Sequence, residues 1–251
     1  MTLRSIAPLA FALALVAPLA SHADLSPYRQ DFDSLAPAEP FPGSNDALSA
    51  DGWLIFASVF TAGGAPLYGY GPFPAPNSLA AFSAVGYGGS QPGNLNMGVY
   101  SDYGNSSAHG SGQLVQASVF QRRTVGTGDV GTRWTFQFDA KLFNLVAPST
   151  ALAFIQTLDP ANGYQVTAQS SIDMSAVPAI WGTYSLPFTI TAGAGQILQF
   201  GFGNTATNYN GSTIVYDNVS LMPVPEPSPY SLMLAGLGLL CLAARRQGRK
   251  P

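Results

Sequence analysis

Residues 134–139 read Trp-Thr-Phe-Gln-Phe-Asp, three rings alternating with three polar side chains, and the same device recurs along the chain. Successive side chains of a strand point to opposite faces, so such a run turns its apolar set to one side and its polar set to the other. Leu198-Gln-Phe200-Gly-Phe202 and Val215-Tyr-Asp217-Asn-Val219-Ser-Leu221 repeat the pattern. Shorter runs of strand character occur at 30–35, 53–60, 81–87, 96–101, 114–121, 152–158, 164–169 and 183–190. Asp51-Gly52, Asn162-Gly163 and Asn210-Gly211 supply turn chemistry between them. Between residues 24 and 223 no twelve-residue window keeps a helical period. About eleven short strands in this span predict an all-β fold, a two-sheet antiparallel sandwich of jelly-roll type.

The two ends read differently. Residues 1–23 carry Arg4, an apolar run from Ile6 to Ala20, and small residues at Ser21 and Ala23. These are the three parts of a secretory signal peptide with cleavage after Ala23. At the other end, Pro225-Glu226-Pro227 precedes an apolar run from Tyr230 to Ala244, then Arg245, Arg246, Arg249 and Lys250. Fifteen helical residues reach about 22 Å, enough to cross a locally thinned bilayer when Arg245 and Arg246 snorkel. The cations hold that end in the cytoplasm. The sequence therefore predicts three parts: signal peptide 1–23, sandwich body 24–223, and a C-terminal segment 224–251 containing a transmembrane helix.

This C-terminal arrangement resembles the PEP-CTERM sorting signal of Gram-negative bacteria, a segment also labelled ice-binding protein C-terminal domain. The resemblance implies export across the inner membrane, transient anchoring, and processing by an exosortase near Pro225-Glu226-Pro227. It also implies a place at the cell surface or in an exopolysaccharide and biofilm matrix.

The chain has a net charge of −3, but the body holds five Lys and Arg against twelve Asp and Glu, a net charge of −7. The basic tail masks this, and no basic footprint for nucleic acid exists. The only cysteine, Cys241, lies in the apolar C-terminal run, so the body has no thiol nucleophile and no thiolate metal site. His109, the body's only histidine, sits in a small-residue loop, and Glu39, its only glutamate, precedes Pro40. Glycan hydrolysis needs two carboxylates of separated pKa, and no Asp spacing singles out a pair. A polysaccharide-active enzyme, hydrolase or lyase, working through Asp carboxylates stays open beside a non-catalytic surface protein.

Asp217 shares parity with Val215, Val219 and Leu221, and so is expected to point toward the core, where a carboxylate needs a partner or a metal. Asp31 and Asp33 on the first strand are its natural companions if first and last strands pair, and an all-oxygen set suits a structural calcium. For sugar binding, the Gly/Pro-rich segment 67–77 is read as a loop carrying Tyr68, Tyr70, Phe73 and Asn77. Tyr100 and Tyr103 form a second cluster. Rings stack on apolar sugar faces while amides bind hydroxyls. The competing reading is that these rings cover the ends of the sandwich.

The body as a whole, through Asp51-Gly-Trp53, Tyr68–Asn77, Tyr100-Ser-Asp102-Tyr103, 134–141, 153–160 and Tyr216-Asp-Asn-Val219, is similar to a recurrent type of PEP-CTERM protein. Its aromatic-Asp-Asn-Val-x-Leu ending resembles the last strand of carbohydrate-binding jelly rolls of the galactose-binding-like class. That resemblance implies a structural calcium at Asp217.

Overall fold

The computed structural model describes residues 25–35, 47–76, 83–85, 95–105, 112–207 and 211–225. Apart from Pro225 these belong to one unit, His22–Val224. Ala23, Asn77, His109, Glu226, Pro227, Arg245 and Arg246 lie outside the described residues, as does the apolar run 230–244. Among the described residues no helix is long and apolar enough to cross a membrane.

Twelve strands form two antiparallel six-stranded sheets among the described residues. They are β1 (Tyr28–Gln30), β2 (Leu54–Phe60), β3 (Pro66–Pro74), β4 (Ser83–Val85), β5 (Met97–Val99), β6 (Leu114–Thr124), β7 (Arg133–Leu145), β8 (Thr150–Asp159), β9 (Gln165–Asp173), β10 (Gly182–Thr189), β11 (Ile197–Ala206) and β12 (Ser212–Pro223). Sheet A runs β10-β7-β12-β5-β4, with β1 also pairing β12; sheet B runs β3-β2-β6-β11-β8-β9. The all-β sandwich read from the alternation is the fold of the body, and its first and last strands pair.

The alternating rings build the core between the sheets. Trp134, Phe136 and Phe138 of β7 are fully buried, as are Leu198, Phe200 and Phe202 of β11, while their polar neighbours face outward. Phe202 of sheet B stacks on Tyr216 of sheet A at 3.6 Å between centroids. Phe138 meets Phe202 edge-on at 5.0 Å. Each well-placed ring pair contributes about 0.5–1.5 kcal/mol beyond its buried area. Burial drives the Tyr216 phenol well above its usual range, and its hydroxyl finds no hydrogen-bond partner among the described residues.

Three local expectations change. Segment 66–74 is a strand, not a loop: β3 pairs β2 with two register shifts. It lies at the edge of sheet B, the one place where Pro66, Pro72 and Pro74 cost no ladder bond. The first strand stops at Gln30, and the chain then bends through Phe32, whose φ is 59° and whose ring is buried. Asp31 and Asp33 therefore sit in a turn beyond β1.

The third change concerns Asp217. One edge of β12 is shared by two short strands, β5 beside Ile214–Tyr216 and β1 beside Val219–Leu221. At the gap between them β12 bulges, with Asn218 at φ 50° and a register shift against β7. A bulge inserts a residue and inverts the alternation beyond it. Ile214 and Tyr216 before the bulge, and Val219 and Leu221 after it, all enter the core. Asp217 is thus turned to the outer side of sheet A, and it is buried there rather than in the sandwich interior.

Candidate functional site

The outer face of sheet B carries a groove of about 720 Å³ that reaches from β3 to β9. Six strands at about 4.8 Å spacing make it about 24 Å across, the scale of a short oligosaccharide. Its floor follows from strand parity. Ile55, Val119, Ile155, Phe200 and Phe202 point into the core. Their sequence neighbours Phe56, Phe120, Phe154, Gln156 and Gln199 therefore point into the groove. Three of these are phenyl rings at positions where an ordinary half-exposed sheet would carry polar side chains.

Register arranges the floor in rows across the strands. Phe120 of β6, Gly201 of β11 and Phe154 of β8 stand side by side. A Cβ on Gly201 would lie 2.1 Å from the Val119 carbonyl oxygen and 2.7 Å from the Phe120 Cα, so only glycine fits against the β6 backbone at this point of the row. The next row is Arg122, Gln199, Gln156 and, from β9, Gln169. Within it the Gln156 amide donates to Gln199 Oε1 at 2.5 Å. At the β9 end, Tyr164 follows Gly163, and both residues adopt left-handed backbone, at φ 60° and 62°. The Tyr164 N–H donates to the Asp159 carbonyl at 2.8 Å, and its ring stands 57% exposed over the groove. A bulky residue held in that region marks a conformation the surroundings impose.

The rings singled out from the sequence face the other way. Tyr68, Tyr70 and Phe73 pair in register with Val59, Ala57 and Ile55, whose side chains are buried inward. Tyr70 and Phe73 pack against the core, and the Tyr70 hydroxyl donates to Asp102 Oδ2. Burial, reinforced by that carboxylate, pushes the Tyr70 phenol up. Tyr103 is buried against Val59, Val115 and Ala206; Tyr100 is half-buried just beyond β5; Tyr68 is half-exposed at the sheet edge. The structure brings Tyr70 to the Tyr100–Tyr103 segment, at one end of the sandwich. Gly69, between Tyr68 and Tyr70, makes room for the groove: a Cβ there would lie 2.7 Å from Phe56 Cζ, so the missing side chain is what lets the Phe56 ring settle.

The gap in β12 is the second cluster. Asp31 follows Gln30, which pairs Val219, and Asn96 precedes Met97, which pairs Tyr216. Both chains thus arrive at Asp217, which also pairs with Asp139 of β7. Asp139 accepts from Thr183 Oγ1 at 2.6 Å and from Asn218 Nδ2 at 2.8 Å. Asp33 accepts from the Leu95 N–H at 2.7 Å. Burial pushes the Asp217 carboxyl up to about 6; the Asn218 N–H on its Oδ1 opposes this, and the carboxylates of Asp33, Asp139 and Asp31 add to it. Among the described residues no three acidic or histidine side chains already stand in metal-ligand geometry. Asn96, however, one residue before the Met97–Tyr216 pair, is buried, and neither of its amide atoms has a hydrogen-bond partner among the described residues. A buried amide without partners, next to crowded carboxylates, has the donor chemistry of a calcium site.

Residues 223–250 match the PEP-CTERM protein-sorting motif. The chain carries that motif, which implies export and sorting to the cell surface. No curated protein matches the sequence. Among solved structures, the chain is similar to the enzymatically active domain of tailspike protein 4 of bacteriophage CBA120 (14% identity, 72% of this chain, 20% of that chain, TM-score 0.42). It is similar to a CBM4 protein (18%, 78% and 97%, 0.39) and to the Stig cyclase Fisc from Fischerella sp. TAU (15%, 80% and 100%, 0.46). The chain spans about a fifth of the tailspike domain's length. At TM-scores below 0.5 none of these likenesses reaches to a substrate or a residue.

Proposed function

We propose that this is an exported, exosortase-processed surface or extracellular-matrix protein whose sandwich binds a polysaccharide chain in the groove of sheet B. Its body, 24–223, is the binding part; 1–23 directs export, and 224–251 anchors the chain until it is processed near Pro225-Glu226-Pro227. The observation that carries the reading is the make-up of the groove. Phe56 and the exposed Tyr164 offer apolar faces over a floor closed by the buried rings of Phe120 and Phe154, and Gln156 and Gln169, with the buried Gln199 bonded to Gln156, offer amides beside them. Rings take the C–H faces of pyranoses, and amides both donate to and accept from hydroxyls.

Binding is favoured over hydrolysis or elimination because, among the described residues, no Asp, Glu or His lines the groove. Both reactions on a glycan need an acid and a base within reach of the scissile bond. The polymer we expect is the exopolysaccharide of the producing cell, in its biofilm matrix.

Affinity electrophoresis of the purified protein through gels containing that exopolysaccharide tests the reading. Retardation should weaken at least about tenfold in Tyr164→Ala and Gln156→Ala, each removing about 1.4 kcal/mol or more of contact. In Tyr68→Ala it should stay unchanged. Equal retardation of all three variants and the parent would defeat the groove as the binding site.

A second reading concerns the β12 gap. The unpartnered Asn96 amide and the repulsion around Asp217 favour a structural calcium held by Asp31, Asp33 and Asp217 with the Asn96 carbonyl. Such an ion would cross-link the ends of β1, β5 and β12.

A further inference from the structure

We infer that the groove of sheet B selects glycans carrying isolated carboxylate groups, such as a single uronic acid or pyruvate in each repeat, and that Arg122 is the residue that reads them. The inference rests on the groove being a glycan site and adds the chemical class of its ligand.

Arg122 is the one charged side chain in the lining among the described residues. It is exposed and has no ion pair or side-chain hydrogen bond there. Of the other four cations of the described body, Arg29 and Arg133 are likewise exposed and without an ion pair or side-chain hydrogen bond among the described residues, but neither lines the groove, and the remaining two are engaged. Arg123 donates to Gln121 Oε1 at 2.8 Å and lies over the Tyr28 ring at 5.5 Å, and Lys141 lies over the Trp181 ring at 5.0 Å. What sets Arg122 apart is its place: an unengaged guanidinium in a groove of rings and amides is available to a ligand. Its fork matches a carboxylate with two parallel N–H···O bonds, which a sugar hydroxyl cannot accept in the same geometry.

Register gives the fork its context. Arg122 opens the row that continues through Gln199, Gln156 and Gln169. Beside that row runs Phe120–Gly201–Phe154. A pyranose over the phenyl row would present its ring substituents to the amide row, and a substituent over β6 would meet Arg122.

Global charge narrows the class further. The body's net charge of −7 repels a polymer with a carboxylate on every sugar, whereas one cation in the groove suffices for a sparse one. Specificity here is a difference between local attraction and overall repulsion.

The test uses the purified protein and three native polymers: xanthan and glucuronoxylan, which carry sparse acid groups, and polygalacturonate, which carries one on each sugar. Each is compared with its own carboxyl-reduced form, which keeps the linkage and loses the charge. We expect at least one sparse polymer to retard the protein about tenfold more strongly than its reduced form, the scale of one charged hydrogen-bond pair. We expect polygalacturonate to be the weakest acidic ligand. Arg122→Gln should erase the native-to-reduced ratio by bringing native and reduced polymers to equal retardation, and Arg122→Lys should restore the ratio only in part. Equal binding of native and reduced polymers, or an Arg122→Gln variant with the parent ratio, overturns this inference and leaves the groove standing. No retardation by any of the six polymers or by the producer's exopolysaccharide overturns the groove reading and this inference together.

Discussion

Asp217→Asn in chelator-containing buffer should stabilise the protein at neutral pH and leave it unchanged in acid. Asp217 is 9% exposed and its carboxyl is raised from 3.8 to about 6, by burial first and by Asp33, Asp139 and Asp31 after it. Between those values the native state holds a proton that the unfolded chain has released, so stability falls as pH rises through this window. Holding the carboxyl at about 6 rather than 3.8 is worth about 3 kcal/mol, and about 2 kcal/mol once solvent screening on the outer side of the sheet is allowed for. Asparagine is isosteric, keeps an oxygen for the Asn218 N–H, and cannot ionise. For a domain of this size about 2 kcal/mol corresponds to about 4–8 °C in Tm. Scanning calorimetry of parent and variant at pH 4 and 7.5 should therefore show nearly equal Tm values at pH 4 and the variant higher at pH 7.5. Calcium enters with the opposite sign. If the ion sits among Asp31, Asp33, Asp217 and Asn96, millimolar calcium at pH 7.5 should raise the parent's Tm and leave Asp217→Asn unmoved. Parallel pH profiles for the two proteins in chelator would refute the buried, repelled carboxylate. A parent Tm indifferent to calcium would refute the metal.

Gly201→Ala should cost several kcal/mol and abolish retardation in polysaccharide gels, because the new methyl meets the Val119 carbonyl oxygen at 2.1 Å and displaces β6 at Phe120. Gly203→Ala, two residues on, meets Leu152 only at 3.5 Å and should leave Tm within a few degrees; thermal melts of the pair check both. Asp129→Ala should lower stability by about 2–4 kcal/mol in urea unfolding. The buried Asp129 carboxylate accepts from the Leu25 N–H at 3.0 Å and the Gly126 N–H at 2.7 Å, and its loss leaves both donors without that partner.

Strand alternation made the sandwich legible because burial enforces it: Trp134, Phe136 and Phe138 can face only one way if β7 is to cover β11. It failed at Asp217 because alternation holds only while register does. The bulge at Asn218 arises from two short strands sharing one edge of β12, a tertiary fact with no local sign in Tyr-Asp-Asn-Val. It failed again at 66–74. Three prolines and two glycines there exclude a central strand, but an edge strand needs only half its backbone groups paired. Pairing Asp31 and Asp33 with Asp217 through the first and last strands needed only topology, and β1 does lie on β12.

The groove was written in the sequence in a form that looks like noise. Loop aromatics are natural binding candidates because loops carry function, yet Tyr70, Phe73 and Tyr103 turn inward and pack against the core clusters. The informative residues were rings at the polar positions of well-formed strands. In β2 Phe56 falls between Ile55 and Ala57, and in β8 Phe154 falls between Ala153 and Ile155. A ring on the solvent side of an otherwise clean alternation costs exposure unless neighbouring strands supply another ring beside it. Phe120 and Phe154 meet that condition across Gly201, where each is only 4% exposed. What local pattern cannot supply is which strands become neighbours: β6, β11 and β8 are joined across 92 residues of sequence order, and only their pairing turns scattered phenylalanines and glutamines into one surface. The same pairing sets Arg122 in line with Gln199 and Gln156. Arg122, one residue past the run 114–121, becomes through this pairing the single charged side chain in the groove lining among the described residues.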